Sequence, residues 1–156
     1  MAVMVIVSIL LAVSFVGIAI WKLRGIPESI SSMVWALPEG AWRWLWSVWL
    51  VTVSVLTFAP IIGVLDTVGL GIFGFLPMVC FGFVAAWPLF DQDHAKLHNI
   101  VAVIGGVFSQ VAVLLICPVW LALWLLMLLA LLKPLKSKSV MISECICYVA
   151  IIGVLI

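Results

Sequence analysis

Both histidines of the chain, His94 and His98, fall within FDQDHAKLHN (residues 90–99), together with Asp91, Asp93, Lys96 and Asn99. Two histidines four residues apart share one face of a helix and can grip a divalent metal ion, with carboxylates completing the shell. The metal-ligand candidates are therefore Asp91, Asp93, His94 and His98. The same groups can also bind a cation or relay protons. The stretch is not the zinc-protease pattern, because Ala95-Lys96-Leu97 follow His94 where HExxH needs a glutamate as general base. A plainer reading competes: Asp91 and Asp93 cap a helix amino terminus, where acids offset the dipole, and the histidines sit at the level of lipid headgroups. Haem would want histidines on two facing helices, and both stand on one. No cofactor is expected beyond such a metal ion.

Other chemistry is sparse. Glu144 stands inside the apolar run VMISECICYVAIIGVLI, and Glu28, Ser29 and Ser31 belong to the loop sequence PESISS. GxSxG, a Walker loop and CxxC are all missing, and the ESISS serines have no nearby sequence cue for a base. These motifs support neither a serine nor a cysteine hydrolase. Ser109 and Gln110 lie within an apolar run, where they can bond across helices or line a path. The four cysteines read as small packing residues, since Cys145 and Cys147 are too close for redox or zinc-ribbon spacing.

The elements that must position these groups follow from composition. The 156 residues are 68% hydrophobic and 8% charged, with a mean hydropathy of +1.48. Soluble domains are roughly 45–50% apolar and about 25% charged. An integral membrane protein is implied, and a net charge of +1 built from scattered residues gives no basic patch for nucleic acid. A span needs about 20 apolar residues. The runs predict an all-α bundle of six transmembrane helices at about 1–21, 42–59, 68–88, 97–116, 118–132 and 140–156, forming one domain. The first run has Lys22 and Arg24 after it, the reverse of a cleavable signal peptide, and reads as a retained anchor. Trp42, Trp44, Trp46 and Trp49 mark where the second enters through an interface. Gly69, Gly71, Gly74, Gly82 and Pro77 predict a kinked, closely approached third helix. The apolar run from His98 to Leu132 is 35 residues long, about 52 Å as one helix against a core of about 30 Å, so it breaks at Ile116-Cys117-Pro118.

Between the first two spans, residues 27–38 place Ile30, Met33, Val34 and Leu37 on one side of a short helix opened by Pro27 and stopped by Pro38. This is expected to lie in the membrane interface with its apolar face down. With six spans, all seven basic residues fall on one side, which the positive-inside rule makes cytoplasmic, leaving both termini outside, as in a bacterial inner membrane. FDQDHAKLHN then joins spans three and four on the cytoplasmic face. His94, His98, Ala102, Gly105, Ser109 and Ala112 form one stripe of helix four, polar at the surface and small deeper in, which should face neighbouring helices. Glu144 enters from the same side, so His98 and Glu144 are expected to pair at the centre of a polar mouth.

The order of an outward first span, PESISSMVWAL, a tryptophan-rich second span and WPLFDQDHAKLHNIVAVIGG resembles small six-span bacterial membrane families of unknown function. These are distantly similar to the DRAM and FGF-receptor-activating-protein group. The resemblance implies a six-helix fold, supplies no reaction, and singles out Ser29, Ser31, Asp93, His98 and Asn99. The expected function is a non-enzymatic transport, sensing or partner-subunit bundle. The alternative is a metal-dependent membrane enzyme built on the Asp/His cluster. The expected partners are the lipid bilayer and a membrane-protein subunit or a second copy.

Overall fold

The structure, a computed structural model, describes residues 1–37, 41–87, 95–131 and 133–156, and every regular element among them is helical. Five α-helices, α1 (Ala2–Leu23), α2 (Ala41–Asp66), α3 (Ile72–Ala86), α4 (Ala95–Ile116) and α5 (Ser139–Gly153), are joined by a long 3₁₀ helix at Pro118–Leu131. Shorter 3₁₀ turns cover Ser31–Ala36 and Lys133–Lys138. Three segments are long and apolar enough to cross a membrane: Ala2–Leu23, Arg43–Asp66 and Lys96–Ile116.

Local chemistry sets the helix ends. Arg24 closes α1 in the left-handed region (φ 53°), its amide turned back onto the last turn of the helix. At the end of α2, Gly69 takes φ +73°, its N–H donates to the Asp66 carbonyl and the Leu70 N–H donates to the Leu65 carbonyl. That is a Schellman stop, with Leu65 and Leu70 supplying the apolar contact that accompanies it. α4 ends at Ile116, and Pro118, which has no N–H to give, opens the next element. That element is 3₁₀ where an α-helix is expected. Its 14 residues reach about 28 Å at about 2.0 Å each, against about 21 Å as an α-helix.

Sequential rods pack side by side: α1 on α2, α2 on α3, α3 on α4, α4 on α5, and the long 3₁₀ helix on α4 and α5. Glycines allow the closest approaches. A Cβ at Gly74 would stand 2.9 Å from the Ile62 backbone nitrogen, and one at Gly105 would stand 2.8 Å from the Cys80 Cβ. The stripe on α4 faces these neighbours, with His98, Gly105, Ser109 and Ala112 all buried.

Two apolar clusters hold the bundle. One gathers Phe58, Ile61, Val113 and Ile151; the other gathers Met33, Val34, Trp46 and Met141. Met33 and Val34 are fully buried, so the first loop turns its apolar side into the bundle rather than down onto a bilayer surface. In place of the expected interfacial helix there is a six-residue 3₁₀ turn whose side chains complete the second cluster. Outer faces are apolar and some inner contacts polar: on α1, Leu10 is 64% and Val13 66% exposed while Ser8 is 0% exposed. A water-soluble domain has the opposite bias.

Candidate functional site

Four contacts draw the first loop, α3, α4 and α5 together at one end. The Met141 N–H donates to the Glu28 carbonyl at 3.0 Å. The Ile30 N–H donates to the Glu144 Oε2 at 2.6 Å. Ser31 Oγ lies 3.1 Å from His98 Nε2, and the Trp87 ring packs on the His98 ring with centroids 4.5 Å apart. The elements carrying all seven Lys and Arg residues end at this same pole: the end of α1, the starts of α2 and α4, and the turn before α5.

The loop holds this shape through its own serines. The Ser32 N–H donates to Ser29 Oγ at 3.0 Å and the Ser29 N–H donates to Ser32 Oγ at 3.1 Å, a reciprocal pair spaced as in a capping box. The Ser32 hydroxyl also donates to the Ser29 carbonyl at 2.7 Å. With these donors and acceptors tied up locally, the Ile30 amide and the Ser31 hydroxyl are left to reach Glu144 and His98.

His98 and Glu144 therefore meet at this pole, but not as a pair. No hydrogen bond or ion pair joins them; each takes one of two adjacent loop residues. The direct pairing expected from depth and helix face is replaced because the loop enters between them and supplies a backbone donor to the acid. His98 is 5% exposed, and its Nδ1 is buried with no hydrogen-bond partner among the described residues. One tautomer leaves an unused N–H there, the other an unused lone pair. Asn99, the next residue, is exposed, as is Glu28, whose carbonyl rather than carboxylate makes the loop contact. Asp91, Asp93 and His94 lie outside the described residues. Among the described residues, no three His, Cys, Asp or Glu side chains stand close enough to hold a metal ion.

Farther along α5 two polar networks cross the bundle. Gln110 donates from Nε2 to Ser109 Oγ (3.2 Å) and to the Cys147 carbonyl (3.5 Å), and accepts from the Trp124 indole at 2.9 Å. This ties α4, α5 and the long 3₁₀ helix. Ser8 Oγ is 2.7 Å from Thr57 Oγ1 and 2.9 Å from the Tyr148 hydroxyl, tying α1, α2 and α5. Nothing in the spacing of Ser8, Thr57 and Tyr148 marks them as partners. The signal in the sequence is a hydroxyl residue in each of three separate apolar runs, one of them the only tyrosine in the chain.

Compared with models of protein families, with curated proteins and with solved structures, the chain matches none.

Proposed function

We propose that this chain is a multi-pass membrane bundle of the small transport or sensing class, and that Glu144 is its proton-binding group. One observation carries the reading. Glu144, on α5, is partly buried against the first loop, its hydrogen bond comes from a neutral backbone amide, and no cation pairs with it among the described residues. A charged acid near the centre of a bilayer-spanning helix costs about 2.5–3.5 kcal/mol, with relief toward the interface, and such residues face protein or water and mark ion and proton pathways. A carboxyl held by one amide accepts either protonation state, because the second oxygen can carry or release the proton without breaking the contact. The apolar outer faces and the gathering of all basic residues at one pole support insertion with that pole cytoplasmic.

The test uses purified full-length protein in liposomes that enclose a pH-sensitive dye, with a potassium diffusion potential as the driving force. Wild type should acidify the lumen faster than empty vesicles, and Glu144→Gln should abolish the difference. Equal rates for wild type and Glu144→Gln would refute the assignment.

A second reading, a metal-dependent membrane enzyme, draws support from the unpartnered His98 Nδ1, a buried ligand atom with nothing in the described residues to hold. Elemental analysis of the purified protein tests it: stoichiometric zinc, iron or manganese that disappears in His98→Ala would favour it over proton handling.

A further inference from the structure

We infer that protons cross this molecule through the hydroxyl chain Tyr148–Ser8–Thr57, between Glu144 at one pole and a groove between α1 and α2 at the other. The inference rests on the proton-binding role proposed for Glu144 and adds the route.

Two features set this network apart from ordinary helix bonding. Ser14, Ser47, Thr52 and Ser54 turn their hydroxyls back onto carbonyls of their own helices. Ser8 and Thr57, which are 0% and 2% exposed, spend theirs on each other, and Ser8 also meets Tyr148. Each of the three groups is both donor and acceptor, so the chain can point either way. A proton enters at one end of the chain as another leaves at the other, so one charge moves across with no co-reactant, the chain stays neutral, and its hydroxyls turn back before the next transfer.

The ends of the chain are also in place. Tyr148 lies four residues beyond Glu144, one turn along the same face of α5, a spacing that sets their Cβ atoms about 5–6 Å apart. At the other end, Pro60 has no N–H to offer the Leu56 carbonyl, which leaves an acceptor in the peptide bond leading into Thr57. Pro60 lines an open, largely apolar groove of about 460 Å³ together with Met4, one turn from Ser8, and Gly63 and Thr67 toward the end of α2, with Thr67 its one hydroxyl.

The Gln110 network cannot do the same work. An indole N–H only donates, an amide does not hand on a proton, and the Ser109 hydroxyl is committed to the Gly106 carbonyl at 2.6 Å. It is a brace between helices.

The liposome assay decides the matter with four variants beside Glu144→Gln, each first checked for a single symmetric peak in gel filtration. Tyr148→Phe and Thr57→Val should lose the flux to the level of empty vesicles, whereas Thr57→Ser, which restores the hydroxyl, should keep it. Trp124→Phe, which cuts the brace, should leave flux unchanged. If Glu144→Gln abolishes flux while Tyr148→Phe and Thr57→Val conduct like wild type, Glu144 keeps its role and the route is overturned. If wild type conducts no faster than empty vesicles, both the role and the route fall.

Discussion

Ser31 and His98, 67 residues apart in sequence, stand 3.1 Å apart between side-chain oxygen and ring nitrogen and fasten the first loop to the start of α4. Because His98 Nδ1 is already without a partner, Ser31 is the one hydrogen bond its buried ring makes among the described residues. Ser31→Ala therefore strands the whole imidazole and should cost about 1–3 kcal/mol, the range for an unsatisfied buried polar group. Ser31→Thr, which keeps the hydroxyl, should cost less. A double-mutant cycle with His98→Ala, read by unfolding in detergent, should give a coupling of about 0.5–1.5 kcal/mol. Zero coupling would show that the contact contributes nothing to stability.

The loop is pinned a second time where Ile30 meets Glu144, and the two pins secure neighbouring residues. Glu144→Ala removes the acceptor and should lower stability by about 1–3 kcal/mol, while Glu144→Gln keeps an oxygen for Ile30 and should lose much less. Because either loss frees the same loop, His98→Ala and Glu144→Ala together should cost less than the sum of the two. Glu144→Gln should not rescue His98→Ala, since the acid and the imidazole are not each other's partners. Rescue would mean that the two groups interact directly.

Close packing makes a separate prediction at the glycines. A Cβ at Gly153 would land in the Trp120 indole, and at Gly105 it would press on the Cys80 Cβ, so Gly153→Ala and Gly105→Ala should each cost about 1–3 kcal/mol. Gly82 has nothing within 4 Å, so Gly82→Ala should be neutral or stabilise by about 0.5–1 kcal/mol through helix propensity. Thermal unfolding in detergent ranks the three, and equal midpoints would contradict the helix spacing.

Orientation can be tested with single cysteines placed at positions 24, 67 and 136 in a cysteine-free background. Positions 24 and 136 belong to the basic pole and should react with a membrane-impermeant reagent from one side of sealed vesicles. Position 67, in the turn after α2, should react from the other side. Labelling of all three from the same side would rule out the bundle as a membrane-crossing unit.

The helical character of the chain is written in its sequence, because hydropathy and helix stops are local. A long apolar run buries its backbone most readily as a helix, in which each N–H finds its acceptor within the segment itself. Gly69 and Pro118 end their helices through a positive φ and a missing N–H, properties carried by single residues. The stripe of His98, Gly105, Ser109 and Ala112 is visible for the same reason: helical period alone puts them on one face.

Partners are a different matter. Ile30 finds Glu144 across 114 residues and Ser8 finds Tyr148 across 140, and nothing in either neighbourhood names the other. Which helices become neighbours, and how far each is turned about its axis, is decided by how all the rods pack at once, with Gly74 and Gly105 permitting the approaches. The loop shows this most clearly. Its pattern of Ile30, Met33, Val34 and Leu37 predicts one apolar side, but only the tertiary structure offers that side a pocket among Ala19, Trp46, Val84 and Met141. Burial there turns the opposite side, with the Ile30 amide and the Ser31 hydroxyl, toward Glu144 and His98. Sequence determined which groups are polar and which helix face each occupies; packing decided which of them touch, because contact depends on the positions of several helices and periodicity describes only one.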